Sequence, residues 1–520
     1  MLIFSDLRKL SHAALDAASP HGFPHSPTLA FTRSFMEQGP WLTLAFLIAD
    51  WLLRIGLSLR VILRRLPVGV SLAWLTVILV FPYGGAFFYL LFGELRLGRK
   101  RERRAAAIRQ ARRPQSEALH CQDQIDWSQR GAECEPLARL ATALLGNPPL
   151  AGNALSLLEN AEAAFRALID DVEKAERSVY LEFYIWENGG LADELADAVL
   201  RAAQRGVECR VLLDAVGSRP FLRSRKFKEL REGGVELRAA LRAGIIRMLF
   251  VRFDLRLHRK IAVIDGRVGY AGSMNLVDPR FFKQTAGVGE WVDAMARIEG
   301  PAVQSLGLVI EEDWELETGE KLVRKNVDEP AVPQRQQNSS AVQVLPSGPA
   351  ERSQAIENLL LATIYAARRE LVLTTPYFVP DELLLTALAS AAWRGVDVIL
   401  IVPARVDSKL VRLASAAQRG DLALAGVRIN EYRGGLLHTK SVTADGELSL
   451  FGSLNLDPRS QHLNFEITLA VYDREFTAEL RRLQYSYLEH CLPFDLPAWL
   501  RRSFPKRLAQ DVGRLVSPLL

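Results

Sequence analysis

The sequence contains His258-Arg-Lys-Ile-Ala-Val-Ile-Asp265, and the same pattern returns in His438-Thr-Lys-Ser-Val-Thr-Ala-Asp445. A Gly-Ser pair and an asparagine follow each stretch at one common spacing. The six matching positions are His258, Lys260, Asp265, Gly272, Ser273 and Asn275 in the first copy, and His438, Lys440, Asp445, Gly452, Ser453 and Asn455 in the second. A single match is commonly a strand histidine beside a surface lysine, but two matches at six positions indicate shared chemistry.

The residue types of the pattern favour binding of a phosphate. Residues two apart on a strand share a face, so each histidine lies beside a fixed positive charge. The Gly-Ser turn and the asparagine add hydroxyl and amide donors for the same anion. Downstream, Glu290 and Glu466 open matching segments, and a carboxylate holds an imidazole in one tautomer. The alternative for either glutamate is a solvated carboxylate at a strand end.

The repeat extends well beyond these two stretches. Strand-like and helix-like segments alternate in both copies. Three further pairs of segments match: 177–184 with 369–377, 205–213 with 394–402, and 234–237 with 426–429. A polar piece over 326–347 is typical of a linker. We therefore predict two α/β units, 151–340 and 341–520, that form one body with pseudo-twofold symmetry.

Composition excludes several classes of protein. The chain has 520 residues, of which 49% are hydrophobic and 24% charged, so it has ample material for folded cores. A formal net charge of +5 over this length requires no nucleic-acid partner. Its four cysteines are scattered without a C-x-x-C pair, which argues against a disulfide framework and a zinc ribbon.

The N-terminal part predicts a membrane anchor over residues 40–93, preceded by a tail over 1–39. No charged residue occurs between Leu66 and Gly93, and as a helix this stretch is roughly 40 Å long against a hydrocarbon core of about 30 Å. We predict one spanning helix over 67–92. A second span over 41–63 is favoured, although an interfacial amphipathic helix is the alternative because Asp50, Arg54 and Arg60 lie within it.

The basic residues give the anchor an orientation. Residues 94–150 begin with a run of arginine and lysine that outweighs Arg60, Arg64 and Arg65, at or near the connection between the two predicted spans. This asymmetry places everything after residue 94 in the cytoplasm, where the basic juxtamembrane linker would contact anionic lipid headgroups. Two other stretches mix basic and apolar residues, over 238–256 and 499–507. Each predicts either docking on an anionic bilayer or an ordinary half-buried element.

The paired clusters resemble the HKD motifs of the phospholipase D superfamily, and in particular its bacterial cardiolipin synthase branch. Further support comes from Thr374-Thr-Pro-Tyr-Phe-Val-Pro380, and from Gly93-Glu-Leu-Arg-Leu-Gly98 after the predicted hairpin. The resemblance runs from about Trp41 to the C-terminus, and is weak over 1–39 and 105–150. Thr443 and Ala444 depart from it, since aliphatic residues usually occupy these positions in the family.

The resemblance implies a double displacement on phosphatidylglycerol, which serves as donor and acceptor and yields cardiolipin and glycerol. It makes His258 the nucleophile and His438 the general acid and base. The catalytic motif residues are His258, Lys260, Asp265, His438, Lys440 and Asp445, with the two aspartates more suited to buttressing the motif. Phosphate oxygens would be bound by Lys260, Lys440, Ser273, Asn275, Ser453 and Asn455. Glu466 would orient His258, and Glu290 would orient His438.

The resemblance further implies a multi-pass protein of the bacterial cytoplasmic (inner) membrane, with no metal and no cofactor. Hydrolysis, or transfer to another alcohol, is the main alternative because only the acceptor differs. A nuclease is a second alternative, against which the predicted hairpin and the lack of an aromatic, basic stacking surface argue. A noncatalytic membrane scaffold is the third, and the intact motifs argue against it.

Overall fold

The computed structural model of the protein describes residues 27–64, 66, 68–93, 98–120, 125–242, 254–322, 339–349, 351 and 354–515. The chain divides into two compact units, Met1–Glu94 and Leu95–Leu520. Most of the basic and apolar stretch predicted before His258 lies outside the described residues, as do residues 326–338 of the predicted linker and residues 1–26 of the predicted tail.

The described part of the N-terminal unit has three helices, where two are predicted from the sequence. They are α1 (Pro27–Leu63), α2 (Val68–Val80) and α3 (Pro82–Phe92). The prediction of one helix over 67–92 is wrong because Phe81, at φ −126° and ψ 74°, leaves the helical region directly before Pro82. Proline disfavours helical geometry in the residue before it and has no N–H to donate. Helix α1 also takes in residues 27–39 of the predicted tail.

Apolar contacts hold these helices together. Val61 of α1, Ile78 of α2 and Tyr89 of α3 are fully buried against one another. Arg54 pairs with Asp50 one helical turn away, with an N–O distance of 2.7 Å. No helix in the described part of the chain is both long and apolar enough to cross a membrane, so the two expected spans are not found among these residues.

The described part of the predicted juxtamembrane linker, 94–150, includes the helices α4 (Arg99–His120) and α5 (Cys134–Leu145). Helix α5 packs into the core of the second half. Arg101 of α4 forms an ion pair with Glu317, and Arg104 donates a hydrogen bond to the carbonyl of Glu315 at 2.7 Å. These two arginines, expected at lipid headgroups, thus contact an acidic helix of the same unit.

The remainder of this unit consists of two halves with the same order of elements. The first half comprises β1 (Leu150–Leu158), α6 (Ala161–Glu173), β2 (Ser178–Phe183), α7 (Leu191–Gln204), β3 (Glu208–Asp214), α8 (Arg225–Glu232), β4 (Glu236–Ala240), β5 (Arg256–Leu257), β6 (Lys260–Ile264), β7 (Val268–Gly272), β8 (Trp291–Val292), β9 (Met295–Glu299) and α9 (Ala302–Thr318).

The second half repeats this order and adds a C-terminal extension. It comprises β10 (Ser340–Ser347), α10 (Ala355–Ala366), β11 (Glu370–Thr374), α11 (Glu382–Trp393), β12 (Asp397–Pro403), α12 (Lys409–Leu424), β13 (Arg428–Tyr432), β14 (Leu436–Leu437), β15 (Ser441–Ala444), β16 (Leu448–Gly452), α13 (Pro458–His462), β17 (Asn464–Tyr472), α14 (Arg474–Leu488), β18 (Cys491–Pro493), α15 (Leu496–Leu500) and α16 (Phe504–Leu515). Residues 340–347, predicted as the end of the linker, form strand β10.

One mixed sheet runs through both halves, in the order β18-β13-β12-β11-β15-β16-β17-β10-β1-β9-β7-β6-β2-β3-β4. Strands β1 and β10, the first of each half, are antiparallel neighbours, with Leu150 opposite Val342 and Asn153 opposite Ser340. The predicted α/β architecture of two related units is confirmed.

Two short parallel strand pairings connect the halves beside the repeated pattern. Strand β5 pairs with the start of β17, placing Leu257 opposite Phe465. Strand β14 pairs with β8, placing Leu437 opposite Val292. Because β5 and β14 directly precede His258 and His438, each histidine is bound to the backbone of the other half.

The sheet is covered on both faces, and its central strands are buried on both sides. All nine residues of β17 are buried. Thr443, which departs from the family pattern, is buried in β15 and donates its hydroxyl to the side-chain oxygen of Gln484 at 2.7 Å. The polar residue is therefore accommodated by a hydrogen bond, as a buried hydroxyl requires.

Candidate active site

The first histidine of the repeated pattern is held by a carboxylate of the second half. His258 Nδ1 lies 2.8 Å from Oε2 of Glu466, and its backbone N–H donates to the carbonyl of Phe465 at 2.9 Å. Both side chains are buried. Ser453 donates its hydroxyl to the same carboxylate oxygen at 2.5 Å. The structure thus brings together the imidazole and the glutamate that the resemblance pairs.

The second histidine has a matching arrangement with a different acid. His438 Nδ1 lies 2.7 Å from Oδ1 of Asp293, and Ser273 donates its hydroxyl to the same oxygen at 2.6 Å. Each histidine–carboxylate pair therefore joins one half to the other. Such a partner on Nδ1 leaves Nε2 as the reactive ring nitrogen.

The expectation that Glu290 orients His438 is wrong. Glu290 is exposed, and it is its backbone carbonyl that accepts a hydrogen bond, from the N–H of Leu436 at 2.8 Å. Asp293 is the true counterpart of Glu466, because each acid directly follows two residues that pair with a strand of the other half. A sequence signal for it exists: an apolar residue precedes the acid in Val292-Asp293 and in Phe465-Glu466.

Burial and the neighbouring charges set the protonation of both pairs. Burial lowers the pKa of His258 to about 4 and that of His438 to about 3, although the adjacent carboxylates raise them. Burial opposes ionisation of Glu466 and Asp293, but the imidazole and lysine beside each hold its pKa below the ordinary value. At neutral pH both imidazoles are therefore neutral, with the Nδ1 proton donated to a carboxylate.

The two lysines lie fully inside the protein beside these pairs. Lys260 Nζ donates to the carbonyl of His258 at 2.6 Å, and Lys440 Nζ donates to the carbonyl of His438 at 2.5 Å. Burial lowers the pKa of Lys260 to about 8 and that of Lys440 to about 7, while Asp293 and Glu466 oppose the decrease. An anion bound beside them favours their charged form.

The two asparagines face the same cavity as the histidines. Asn275 accepts a hydrogen bond from the N–H of Ile185 at 3.2 Å, and its buried Nδ2 has no hydrogen-bond partner among the described residues. Asn455 donates Nδ2 to the hydroxyl of Ser460 at 3.0 Å. A buried amide donor without a partner is costly unless a ligand accepts its hydrogen bond, and a phosphate oxygen is suited to do so.

Four residues of the predicted cluster have other contacts. Ser273 and Ser453 donate to the carboxylates, which differs from the predicted contact with phosphate. Asp265 accepts hydrogen bonds from the N–H groups of Glu176, Arg177 and Ser178 at 2.8–2.9 Å. Asp445 does the same with Arg368, Arg369 and Glu370 at 2.7–2.9 Å.

These contacts make the two aspartates structural. Asp265 and Asp445 directly follow the C-terminal ends of β6 and β15, with φ angles of 52° and 55°. Their hydrogen bonds hold the starts of β2 and β11 in place. Aspartate tolerates the left-handed region better than most residues do. Their assignment as catalytic residues is wrong, whereas the buttressing role implied by the resemblance fits their contacts.

The cavity has a volume of about 270 Å³ and opens between the two halves. Aromatic residues that the sequence did not single out form part of its wall. The Tyr184 ring centroid lies 4.8 Å from that of His258, and the Trp291 ring centroid lies 4.2 Å from that of His438. Within the described ranges, no group of three or more His, Cys, Asp or Glu side chains is arranged to hold a metal ion.

Comparisons with known proteins agree with this geometry. Residues 168–289 and 360–484 match the family described as "Cardiolipin synthase, PLD-like domain". The chain is 44% identical to Cardiolipin synthase A of Yersinia pseudotuberculosis serotype O:1b over 471 residues, which is 90% of this chain and 97% of the relative. Cardiolipin synthase A of Yersinia pestis bv. Antiqua matches to the same extent.

Among solved structures, phosphatidylserine synthase from Haemophilus influenzae Rd KW20 has a similar fold. The match has a TM-score of 0.57 at 16% identity, and covers 74% of this chain and 100% of the synthase. The family match over 168–289 and 360–484 shows that both halves of the repeat are of the phospholipase D-like type.

Proposed function

Since this chain belongs to the family of cardiolipin synthases with phospholipase D-like domains, we propose that it joins two phosphatidylglycerol molecules into cardiolipin and releases glycerol. It is an enzyme of the phosphatidyltransferase type. The observation that carries the proposed reaction is the pair of buried histidine–carboxylate contacts, made between the halves on one cavity.

In the first half-reaction, Nε2 of His258 attacks the phosphorus of the donor. The bond from phosphorus to the glycerol oxygen breaks, and His438, protonated in the complex with the anionic substrate, gives its proton to the departing glycerol. A phosphatidyl-histidine remains, and its positive imidazole is stabilised by Glu466 at Nδ1. The choice of His258 as nucleophile rests on the family resemblance, because both histidines have a buried carboxylate partner at Nδ1.

In the second half-reaction, neutral His438 removes the proton from a hydroxyl group of the acceptor. The acceptor oxygen attacks phosphorus, and the bond to His258 breaks, which regenerates both histidines in their initial protonation states. Lys260, Lys440 and the Nδ2 group of Asn275 stabilise the charge on the nonbridging oxygens.

A product analysis tests the proposed reaction. Purified full-length protein in detergent is incubated with phosphatidylglycerol alone, and the lipids and glycerol are resolved. We expect one glycerol for each cardiolipin. Phosphatidic acid as the main product would instead make the enzyme a hydrolase, and no turnover of lipid would contradict the proposal altogether.

The roles of the histidines are tested with a labelled donor that has a better leaving group. His438→Ala is expected to accumulate acid-labile label on the protein, because this donor needs little proton assistance. His258→Ala is expected to remain unlabelled. The reverse result would exchange the two roles.

We also propose that the protein acts at the bacterial cytoplasmic membrane, with its catalytic unit on the cytosolic side. The N-terminal unit presents large apolar side chains on its surface, with Trp41 74% and Phe81 67% exposed. Exposed apolar area of this kind is typical of contact with lipid or protein. Protease added to intact cells is expected to spare residues 105–520, and cleavage there without lysis would contradict the assignment.

The C-terminal helix α16 supports contact with lipid. Phe504, Leu508 and Val512 lie one turn apart and are exposed, while Gly513 on another face packs against Leu413 of α12. Basic residues flank the apolar stripe: Arg501, Lys506, Arg507 and Arg514. An apolar stripe with basic flanks is typical of helices that lie on anionic bilayers. Trp499, by contrast, donates to the carbonyl of Ala416 and packs inward.

A further inference from the structure

Basic residues outside the repeated pattern line the cavity. Arg256, Arg459 and Lys283 line it together with both histidines. Lys283 Nζ lies 3.2 Å from a carboxylate oxygen of Asp407. The remaining two cations, Arg256 and Arg459, belong to different halves but occupy one part of the wall.

The backbone holds these two guanidinium groups beside each other. Arg256 donates Nη1 to the carbonyl of Leu255 at 2.7 Å, and Arg459 donates Nη2 to the carbonyl of Asp254. The Asp254 carboxylate lies 3.6 Å from Nη1 of Arg459. Both guanidinium groups are thus tethered to two consecutive residues, although their like charges repel.

Both acidic and basic groups surround this pair. Burial lowers the pKa of Arg459, and although Asp254 raises it, the neighbouring Arg256 lowers it further. Asp214 and Asp457 are further acids near the pair. Asp214 accepts hydrogen bonds from the N–H groups of Val216, Gly217 and Leu257 at 2.8–2.9 Å, and burial raises the pKa of Asp457 to about 6. Paired guanidinium groups bind phosphate well because each offers several donors in one plane.

The distance from the arginine pair to the reaction centre is no longer than one lipid headgroup. Arg256 precedes His258 by two residues on extended backbone, which separates their Cα atoms by about 7 Å. The ring of Tyr184 packs against His258. Cardiolipin carries its two phosphates on a single glycerol, so the acceptor's own phosphate must bind at such a short distance from the reacting phosphorus.

The pseudo-twofold does not reproduce the pair. The counterpart of Arg256 is Leu436, which is fully buried. The counterpart of Arg459 is Arg280, whose side chain is 55% exposed and which donates to Asp278 from Nε at 2.9 Å and from Nη2 at 2.6 Å. The paired arginines therefore line the cavity without a pseudo-twofold equivalent.

We propose that Arg256 and Arg459 bind the phosphodiester of the acceptor phosphatidylglycerol and so select a lipid anion over water or free glycerol. The proposal rests on the proposed cardiolipin synthase activity and adds a residue-level determinant of acceptor choice. The reacting phosphate is bound elsewhere, by the histidine, lysine and asparagine residues.

Two assays on the full-length enzyme separate the acceptor from the donor. Cardiolipin formation needs an acceptor that carries a phosphate, whereas incorporation of radiolabelled glycerol into phosphatidylglycerol uses an acceptor without one. In Arg256→Gln and Arg459→Gln, we expect the ratio of cardiolipin formation to glycerol exchange to fall by about 10- to 100-fold, the effect of losing charge-assisted hydrogen bonds. Arg280→Gln, the matched control, is expected to keep the wild-type ratio.

A third acceptor distinguishes charge from lipid tails. Wild-type enzyme is expected to prefer glycerol phosphate to glycerol as an acceptor, and the two arginine variants are expected to lose that preference. Arg459→Lys, which keeps the charge, is expected to recover part of the wild-type ratio.

The outcomes are distinguishable. Equal loss of cardiolipin formation and glycerol exchange in the glutamine and lysine variants would overturn the acceptor site, because the arginines would then serve the donor or the fold. An unchanged ratio would overturn it as well. Failure of wild-type enzyme to perform either reaction would instead contradict the proposed function.

Discussion

Replacement of Asp293 by asparagine tests the half of the site that the sequence misassigned. Asp293 is buried, and its carboxylate lies 2.7 Å from Nδ1 of His438. When His438 carries a proton during the reaction, the attraction between the two charges is about 6 kcal/mol at that distance for an effective dielectric constant of about 20. Asparagine keeps the shape and a polar oxygen but removes the charge.

Part of this energy is retained through the amide dipole, so we expect a loss of about 3–6 kcal/mol in the stabilisation of the transition state. This corresponds to a decrease in kcat of about 10²- to 10⁴-fold. The assay is cardiolipin formation from phosphatidylglycerol in mixed micelles. Asp293→Glu is expected to recover part of the activity, and Glu290→Gln, which alters an exposed side chain, is expected to stay within about twofold of wild type.

Two results would refute this reasoning. One is an Asp293→Asn enzyme with more than about a tenth of wild-type kcat, since a charge contributing several kcal/mol would then be absent. The other is a comparable loss in Glu290→Gln. Thermal unfolding of each variant serves as the control for folding, because Asp293 also accepts the hydroxyl of Ser273.

Three further predictions concern stability and pH. Asp265→Ala leaves three backbone N–H groups without their acceptor, so it is expected to lower the free energy of unfolding by about 2–4 kcal/mol, and a loss of kcat at unchanged Tm would contradict the structural role. Burial lowers the pKa of Lys260 to about 8 and of Lys440 to about 7, so both lose their charge as pH rises through these values. We therefore expect kcat/KM to fall over that pH range. The fall is expected to be shallower in Lys440→Arg, since arginine does not titrate there. Identical pH profiles for the variant and the wild type would argue against a role for the charge of Lys440. Glu182 is fully buried, and burial with the nearby charge of Asp313 raises its pKa well above the ordinary value. The contribution of this raised pKa to the free energy of unfolding is fully present below the unfolded-state pKa of about 4.3, and it is lost as pH rises through the folded-state pKa. Glu182→Gln is therefore expected to raise Tm more at pH 8 than at pH 5. An equal change in Tm at both pH values would contradict this.

The sequence by itself determined the architecture of the catalytic unit. The order of strands and helices follows from local periodicity and turn residues, and these signals occur twice at one spacing. The repeated His and Asn residues identified the cavity, since both histidines and both asparagines line it. Each histidine and its lysine lie two residues apart where β5 leads into β6 and where β14 leads into β15. The same spacing could not separate Asp265 from the reactive residues, since position in a motif does not reveal whether an acid accepts from backbone N–H groups or faces a ligand.

The N-terminal unit shows a local limit of pattern reading. An uninterrupted apolar composition predicted one helix over 67–92, but composition does not report backbone hydrogen bonding. Pro82 removes one donor and constrains Phe81, which divides the segment into α2 and α3.

The family resemblance pairs Glu466 with His258, but only the tertiary structure decided that Asp293 serves His438. Glu466 and Asp293 lie 208 and 145 residues from their partners, and they reach them through the short pairings of β5 with β17 and of β14 with β8. A strand pattern specifies which side chains share a face, but it carries no information about the register of a neighbour from the other half. For the same reason the sequence could not predict that Arg256 lies near Arg459. The two residues belong to different halves and come together because both halves line one cavity, so their spacing along the chain does not indicate it.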